Sequence, residues 1–187
     1  MAPKIKVTKA EIVEATIKIT RKYGKDAVNA RSIAAELGCS TQPVFSNFQS
    51  MDELQNETLK YAHNIYLEFL QKEAESGKYP KYKAFGMAYI RFAEEEKELF
   101  KLLFMCDRRG EIPKITSDYT ESVKMIMEAN NTTYEVAEFM HLEMWTCVHG
   151  IATMLATSFI SLEWDLISDM LSDFYHGLRA RHLKEEK

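Results

Sequence analysis

The chain has 187 residues, 46% hydrophobic and 28% charged, which is globular composition with room for one large domain or two small ones. Its net charge of −4 is uneven: residues 1–50 hold eight Lys/Arg against four acids, net +4, and the rest holds sixteen basic against twenty-four acidic groups, net −8. A basic head on an acidic body fits a polyanion partner for the head alone, while three distant cysteines (Cys39, Cys106, Cys147) exclude a disulfide framework or a C-x-x-C metal site.

Thr8-Lys9-Ala10-Glu11 is a capping box, and Val7 and Ile12 are placed as its hydrophobic staple. Ile12, Ala15, Thr16 and Ile19 follow at helical spacing, and Gly24 stops the helix. Asn29 caps a short second helix with Ile33, Ala34 and Leu37 on one face and Gly38 at its end. Cys39-Ser40 is a tight turn. Ser40 is expected to cap a third helix from Thr41 to Phe48, with Pro43 in its first turn and Val44, Phe45 and Phe48 facing inward. Ser50-Met51-Asp52-Glu53 is a second capping box and opens a long helix to about Glu75, ended by Gly77 and Pro80.

Further helices are predicted near 82–96, 97–106, 116–129, 133–160 and 163–183, with Arg108-Arg109-Gly110 and Pro113 in a loop. The expected fold is all-α, about nine helices. Residues 1–50 are expected to form a three-helix head, 51–76 a connecting helix, and 77–187 a larger helical body. Residues 150–162, the longest nearly apolar stretch, are too short to span a bilayer. With no leader visible at Met1-Ala2-Pro3-Lys4, the expectation is a cytoplasmic protein without a membrane partner.

Two short helices joined by a tight turn match the helix-turn-helix arrangement, whose second helix enters the major groove of DNA. Ser40, Thr41, Gln42, Ser46 and Asn47 are hydroxyls and amides suited to bases and phosphates. Gln42 can pair bidentately with adenine, and the Thr41 methyl can touch thymine. An ordinary helical hairpin with a polar face gives the same local pattern.

Residues 12–54, IVEATIKITRKYGKDAVNARSIAAELGCSTQPVFSNFQSMDEL, resemble the TetR N-terminal signature without gaps. The matching features are Gly24, the Ile33-Ala34 pair, the Gly38-x-Ser40 turn, Phe45 and Phe48, and the run Ser50, Asp52, Glu53, Leu54. The resemblance implies a homodimeric regulator on double-stranded DNA with a palindromic operator, released by a small effector, with 1–50 as the helix-turn-helix DNA-binding domain and 77–187 as the ligand-binding and dimerisation domain. It implies Thr41, Gln42 and Pro43 at the groove, Phe45, Asn47 and Phe48 at the backbone-contacting and packing end, and Lys4 and Lys6 in a basic arm; Arg31 joins this DNA-contacting set. Three positions depart from the family pattern: Phe45 for Tyr, Met51 for Lys and Thr20 for Phe. The first two remove phosphate contacts and should flatten the salt dependence of DNA binding.

In the body, W-T-C-V-H-G (Trp145 to Gly150) resembles the Trp-x-x-x-His-Gly motif of one TetR subgroup. His141, Trp145 and His149 are four apart on one helix and could wall a pocket, or be core. The candidate ligand set is Phe69, Tyr89, Phe92, Phe104, Met125, His141, Trp145 and His149, suited to a largely apolar effector. Glu138-x-x-His141 has di-metal spacing, but no second copy exists, so no metal, cofactor or enzymatic activity is expected. Candidate dimer residues are Ile151, Met154 and Leu155 with Ile167, Met170, Leu171, Phe174 and Leu178, two stripes for a four-helix bundle. The competing reading is a helical small-molecule-binding or interaction protein with a weakened DNA-binding head.

Overall fold

The computed structural model describes residues 7–106 and 117–183. Lys4 and Lys6, and the loop at Arg108-Arg109-Gly110 and Pro113, lie outside them. The described residues form α1 (Lys9–Tyr23), a short 3-10 turn (Lys25–Ala27), α2 (Ala30–Glu36), α3 (Gln42–Asn47), α4 (Met51–Glu75), α5 (Lys81–Glu95), α6 (Lys97–Phe104), α7 (Ser117–Asn130), α8 (Tyr134–Ala156) and α9 (Trp164–His182). The fold is all-helical, and no helix among the described residues is long and apolar enough to cross a membrane.

Two compact units emerge. One runs to Leu67 and also takes in Glu96–Cys106, hence α6; the other comprises Glu68–Glu95 and the chain after α6. Chain order alone assigns α6 to the C-terminal domain, whereas α6 packs against α1.

The first unit closes around Ile12, Val13, Ala15, Ile19, Ile33, Val44, Phe48 and Leu54, with Val7, Leu37 and Met51 packed against them. The ends of its helices follow local chemistry. Glu11 N–H donates to the Thr8 hydroxyl and the Glu11 carboxylate accepts Thr8 N–H, completing the box. That pairing holds the Glu11 carboxyl below its usual range, the Thr8 backbone bond being the main cause. Asn29 accepts from Arg31 and Ser32 N–H to start α2. At the far end Gly38 takes φ +64°, a left-handed value that favours glycine, so that Cys39 N–H reaches Ala34 C=O and Gly38 N–H reaches Ala35 C=O. Arg21 of α1 forms a bidentate pair with Glu96 at the start of α6, at 2.8 and 2.6 Å.

Three local expectations change. Thr41, not Ser40, is the residue before α3, and no side chain caps it. At the second box, Glu53 N–H does bond Ser50 Oγ (3.1 Å), but the Glu53 carboxylate accepts Gln49 N–H and pairs with Lys9 instead of returning to Ser50. Predicted to run to 160, α8 ends at Ala156, where Ser158 turns to φ +55°.

In the second unit α5 is covered by α8 and α9. Tyr82 meets His141 and Tyr89 meets His149, so α5 and α8 run parallel. Lys83 meets Ser172 and Arg91 stacks on Trp164, so α5 and α9 run antiparallel. Gly86 sits at this junction: a Cβ there would stand 3.4 Å from both Leu171 and Val148, so its absence permits the close approach. Met87, Ala88, Ile90, Phe92 and Ala93 of α5 are buried with Met140, Val148, Ile151 and Leu155 of α8 and Ile167 and Leu171 of α9.

Candidate functional site

The first unit presents α3 with its apolar side turned inward through Val44, and with Phe48 just past its end closing the core. The Gln42 side chain is exposed and makes no hydrogen bond among the described residues. Ser40 is exposed, and Thr41 and Pro43 are half-buried. Ser46 is exposed, but its hydroxyl donates to Gln42 C=O at 2.9 Å, a one-turn back-bond that water or a phosphate could replace. Arg31 is exposed on α2, with no ion pair among the described residues. Arg31 on α2, Ser40 in the turn, and Gln42 and Ser46 on α3 thus face solvent.

Two members of the proposed DNA-contacting set behave differently from the sequence expectation. Phe45, expected on the inward face, is 59% exposed, because Val44 and Phe48 already fill the core position beneath α3. Asn47 does not face outward as a free amide. Its Nδ2 donates to Pro43 C=O (2.8 Å) and to Val7 C=O (3.2 Å), so both N–H groups are bound to backbone.

The departures from the family pattern have local causes. Thr20 is buried and its hydroxyl donates to Thr16 C=O, so the smaller residue leaves no unpaired polar atom. Met51 packs on the core cluster instead of offering a charge. Of the lysines near α3, Lys9 is committed to Glu53 at 2.9 Å and lies 4.9 Å over the Phe48 ring.

The second unit gathers most of the predicted ligand residues into three ring clusters. Tyr89 Oη is 2.8 Å from His149 Nδ1, and the Trp145 indole stacks on His149 at 5.0 Å and 15°. Burial lowers the His149 pKa, favouring neutral imidazole, whose tautomer sets which partner of the Tyr89–His149 hydrogen bond donates. His141 belongs elsewhere: its Nδ1 is 3.0 Å from Tyr82 Oη and its ring meets Tyr119 edge-on at 4.8 Å. Burial pushes the Tyr82 phenol well above its ordinary value, so that group stays protonated. Tyr175 of α9 closes this cluster by contact with Tyr82 and by accepting from the Asn130 amide at 2.8 Å. Phe69 and Phe92 pack edge to face at 5.3 Å.

His141, Trp145 and His149 therefore do not line one wall. His141 is buried against α5 and α7, whereas Trp145 is 44% exposed. Met125 is half-buried on α7, outside the ring clusters. Phe104 lies in the first unit, packed on Tyr66 and Phe100. Tyr82, Tyr119, Tyr175 and Asn130 are absent from the sequence-based set. A usable signal exists: Tyr82 and Tyr89 are seven apart on one helix and His141 and His149 eight apart on another, matched spacings for two helices side by side.

The dimer stripes also need correcting. Ile151, Leu155, Ile167, Leu171 and Leu178 are buried within the protomer, since they join α8 to α9 and α5. The large apolar or aromatic side chains left exposed on these helices are Tyr134, Phe139, Leu142 and Trp145 on α8 and Leu166, Met170 and Phe174 on α9. Of the sequence-based stripes only Met170 and Phe174 are among them; Met154 is half-buried.

No curated protein matches the chain. Among solved structures, a protein with unknown function from Rhodococcus sp. RHA1 superposes with TM-score 0.71 at 19% identity, covering 95% of this chain and 98% of its own. A TetR-like transcriptional regulator from Rhodococcus sp. RHA1 gives TM-score 0.64 at 16% identity, with 94% and 96% covered. The multidrug binding protein EbrR, complexed with imidazole, gives 0.61 at 15%, with 89% and 93% covered. These likenesses describe the fold. Residues 82–173 match the family model of the tetracyclin repressor-like C-terminal domain, and so this part of the chain is a TetR-type C-terminal domain.

Proposed function

We propose that this chain is a DNA-binding transcriptional regulator that acts as a homodimer on a palindromic operator and is released from it by a small, largely apolar effector. The observation that carries the DNA-binding part is the outward surface of Ser40, Thr41, Gln42 and Ser46 on a helix whose other side is fixed in a core. A helix held that way can enter a major groove without disturbing the fold beneath it. Gln42 is the side chain best able to read a base, because its amide is uncommitted and offers a donor and an acceptor together.

The dimer is proposed to form on α8 and α9 through Phe139, Leu142, Leu166, Met170 and Phe174, large apolar side chains left exposed on the two helices. The effector site is proposed in the second unit, at the ring clusters of Tyr89, Trp145 and His149 and of Tyr82 and His141. The likeness of fold to a multidrug binding protein seen with imidazole supports a small-molecule ligand. To act as a switch, the effector must favour the DNA-incompatible state, not merely bind.

The test is enrichment of a random duplex library by the protein, followed by gel shift with the selected site and with the DNA upstream of its own gene. Gln42→Ala is expected to weaken the selected site by roughly tenfold or more, the effect of removing one bidentate base pairing, while leaving dimerisation intact. Equal affinity of variant and wild type refutes the Gln42 assignment. The competing reading, a helical binding protein with a weakened head, is favoured by the missing Phe45 hydroxyl and by Met51, which packs against the core and offers no charge. It expects no enriched sequence.

A further inference from the structure

We infer that Asn47 is a positioning residue, a latch that fixes the root of the basic N-terminal arm beside α3; the inference rests on the DNA-binding reading above. Residues of its type at the end of a reading helix are assigned by default to phosphates or bases. Here the side-chain amide has two N–H groups, and both go to backbone carbonyls, one to Pro43 and one to Val7. Adenine recognition by an amide needs a free donor and acceptor together, and this donor is taken.

The bond to Val7 spans 40 residues of sequence and ties the last residue of α3 to the chain just before the α1 cap. Val7 is also packed on the core cluster, so the chain enters α1 at a fixed place beside α3. Lys6 and Lys4 stand one and three residues before that point. A cation tethered at a fixed root has a higher effective concentration at a nearby phosphate than one on a loose root. This matters more here than in a head rich in charge, because α3 carries no charged residue and Lys9 is paired with Glu53.

The experiment uses the full-length protein and a labelled duplex bearing the site it enriches from a random library. Binding is titrated between about 50 and 200 mM salt. Asn47→Ala removes both hydrogen bonds. Asn47→Ser keeps a hydroxyl that can bond Pro43 C=O, as Ser46 does to Gln42, but cannot reach Val7. Both variants are expected to bind about three- to tenfold more weakly at the low-salt end. The slope of log K against log salt should be shallower by up to about 1.8, about 0.9 for each lysine that no longer neutralises a phosphate. In a Lys4→Ala/Lys6→Ala background, adding Asn47→Ser is expected to cost less than about twofold, because the arm it positions is already silent. A full-sized cost of Asn47→Ser in that background, with unchanged slope, overturns the latch and leaves a role within α3. So does Asn47→Ser binding like wild type. A wild-type protein that enriches no sequence overturns the regulatory reading and the latch with it, a result distinct from either.

Discussion

Replacing Phe174 by alanine should dissociate the proposed dimer while leaving the protomer folded. Phe174 is 40% exposed on α9, between the exposed Met170 and the end of the helix. A phenylalanine side chain carries roughly 200 Å², so roughly 80 Å² of ring is left for a partner. At about 25 cal/mol per Å² this is about 2 kcal/mol for one copy. A two-fold axis uses the patch twice, which makes about 4 kcal/mol and about a thousandfold in the dimer Kd. Alanine retains part of that burial, so about a hundredfold is the working figure and a thousandfold the ceiling. Sedimentation velocity over a concentration series measures the shift. The melting temperature of the variant protomer, diluted below its dimer Kd, checks that the fold survives. An unchanged dimer Kd, or a wild-type protein monomeric at every concentration, refutes the reasoning.

Phe92 is fully buried and edge-on to Phe69, and Phe92→Ala should cost about 3–5 kcal/mol in urea unfolding; a cost under about 1 kcal/mol would show that it is not core. Burial holds the His149 pKa below 6.5, so the unfolded chain takes up a proton that the native state resists. Its contribution to stability is therefore present above about pH 6.5 and drains away as the pH falls through the lowered native value. Wild type should lose more stability between about pH 7 and pH 5 than His149→Asn, and an NMR titration midpoint for His149 at or above 6.5 contradicts this.

Helix ends are legible because they are written in adjacent residues. Thr8 with Glu11, Asn29 with Ser32, and Gly38 need no knowledge of the rest of the chain. What stays hidden depends on partners distant in sequence. On α9, Ile167 and Leu171 face the protomer core while Leu166, Met170 and Phe174 face out, and all are apolar at helical spacing. Periodicity detects an apolar face; it cannot say whether the face meets its own chain or another. Trp145 and His141 group together by their four-residue spacing, but four residues rotate a helix by about 40°, enough to turn one towards solvent and the other into α5 and α7. The bond from Asn47 to Val7 spans a distance that no local pattern encodes.

The attachment of α6 to α1 bears on how the protein is made. Leu99, Phe100 and Leu103 of α6 are buried in the first unit, and Glu96 neutralises Arg21 there. A nascent chain that has emerged only through α3 or α4 lacks that cover, and one flank of α1 stays wet. At about 5–20 residues per second, synthesis from residue 50 to residue 106 takes about 3–11 s. During that interval the N-terminal helices wait for a segment encoded well downstream of them.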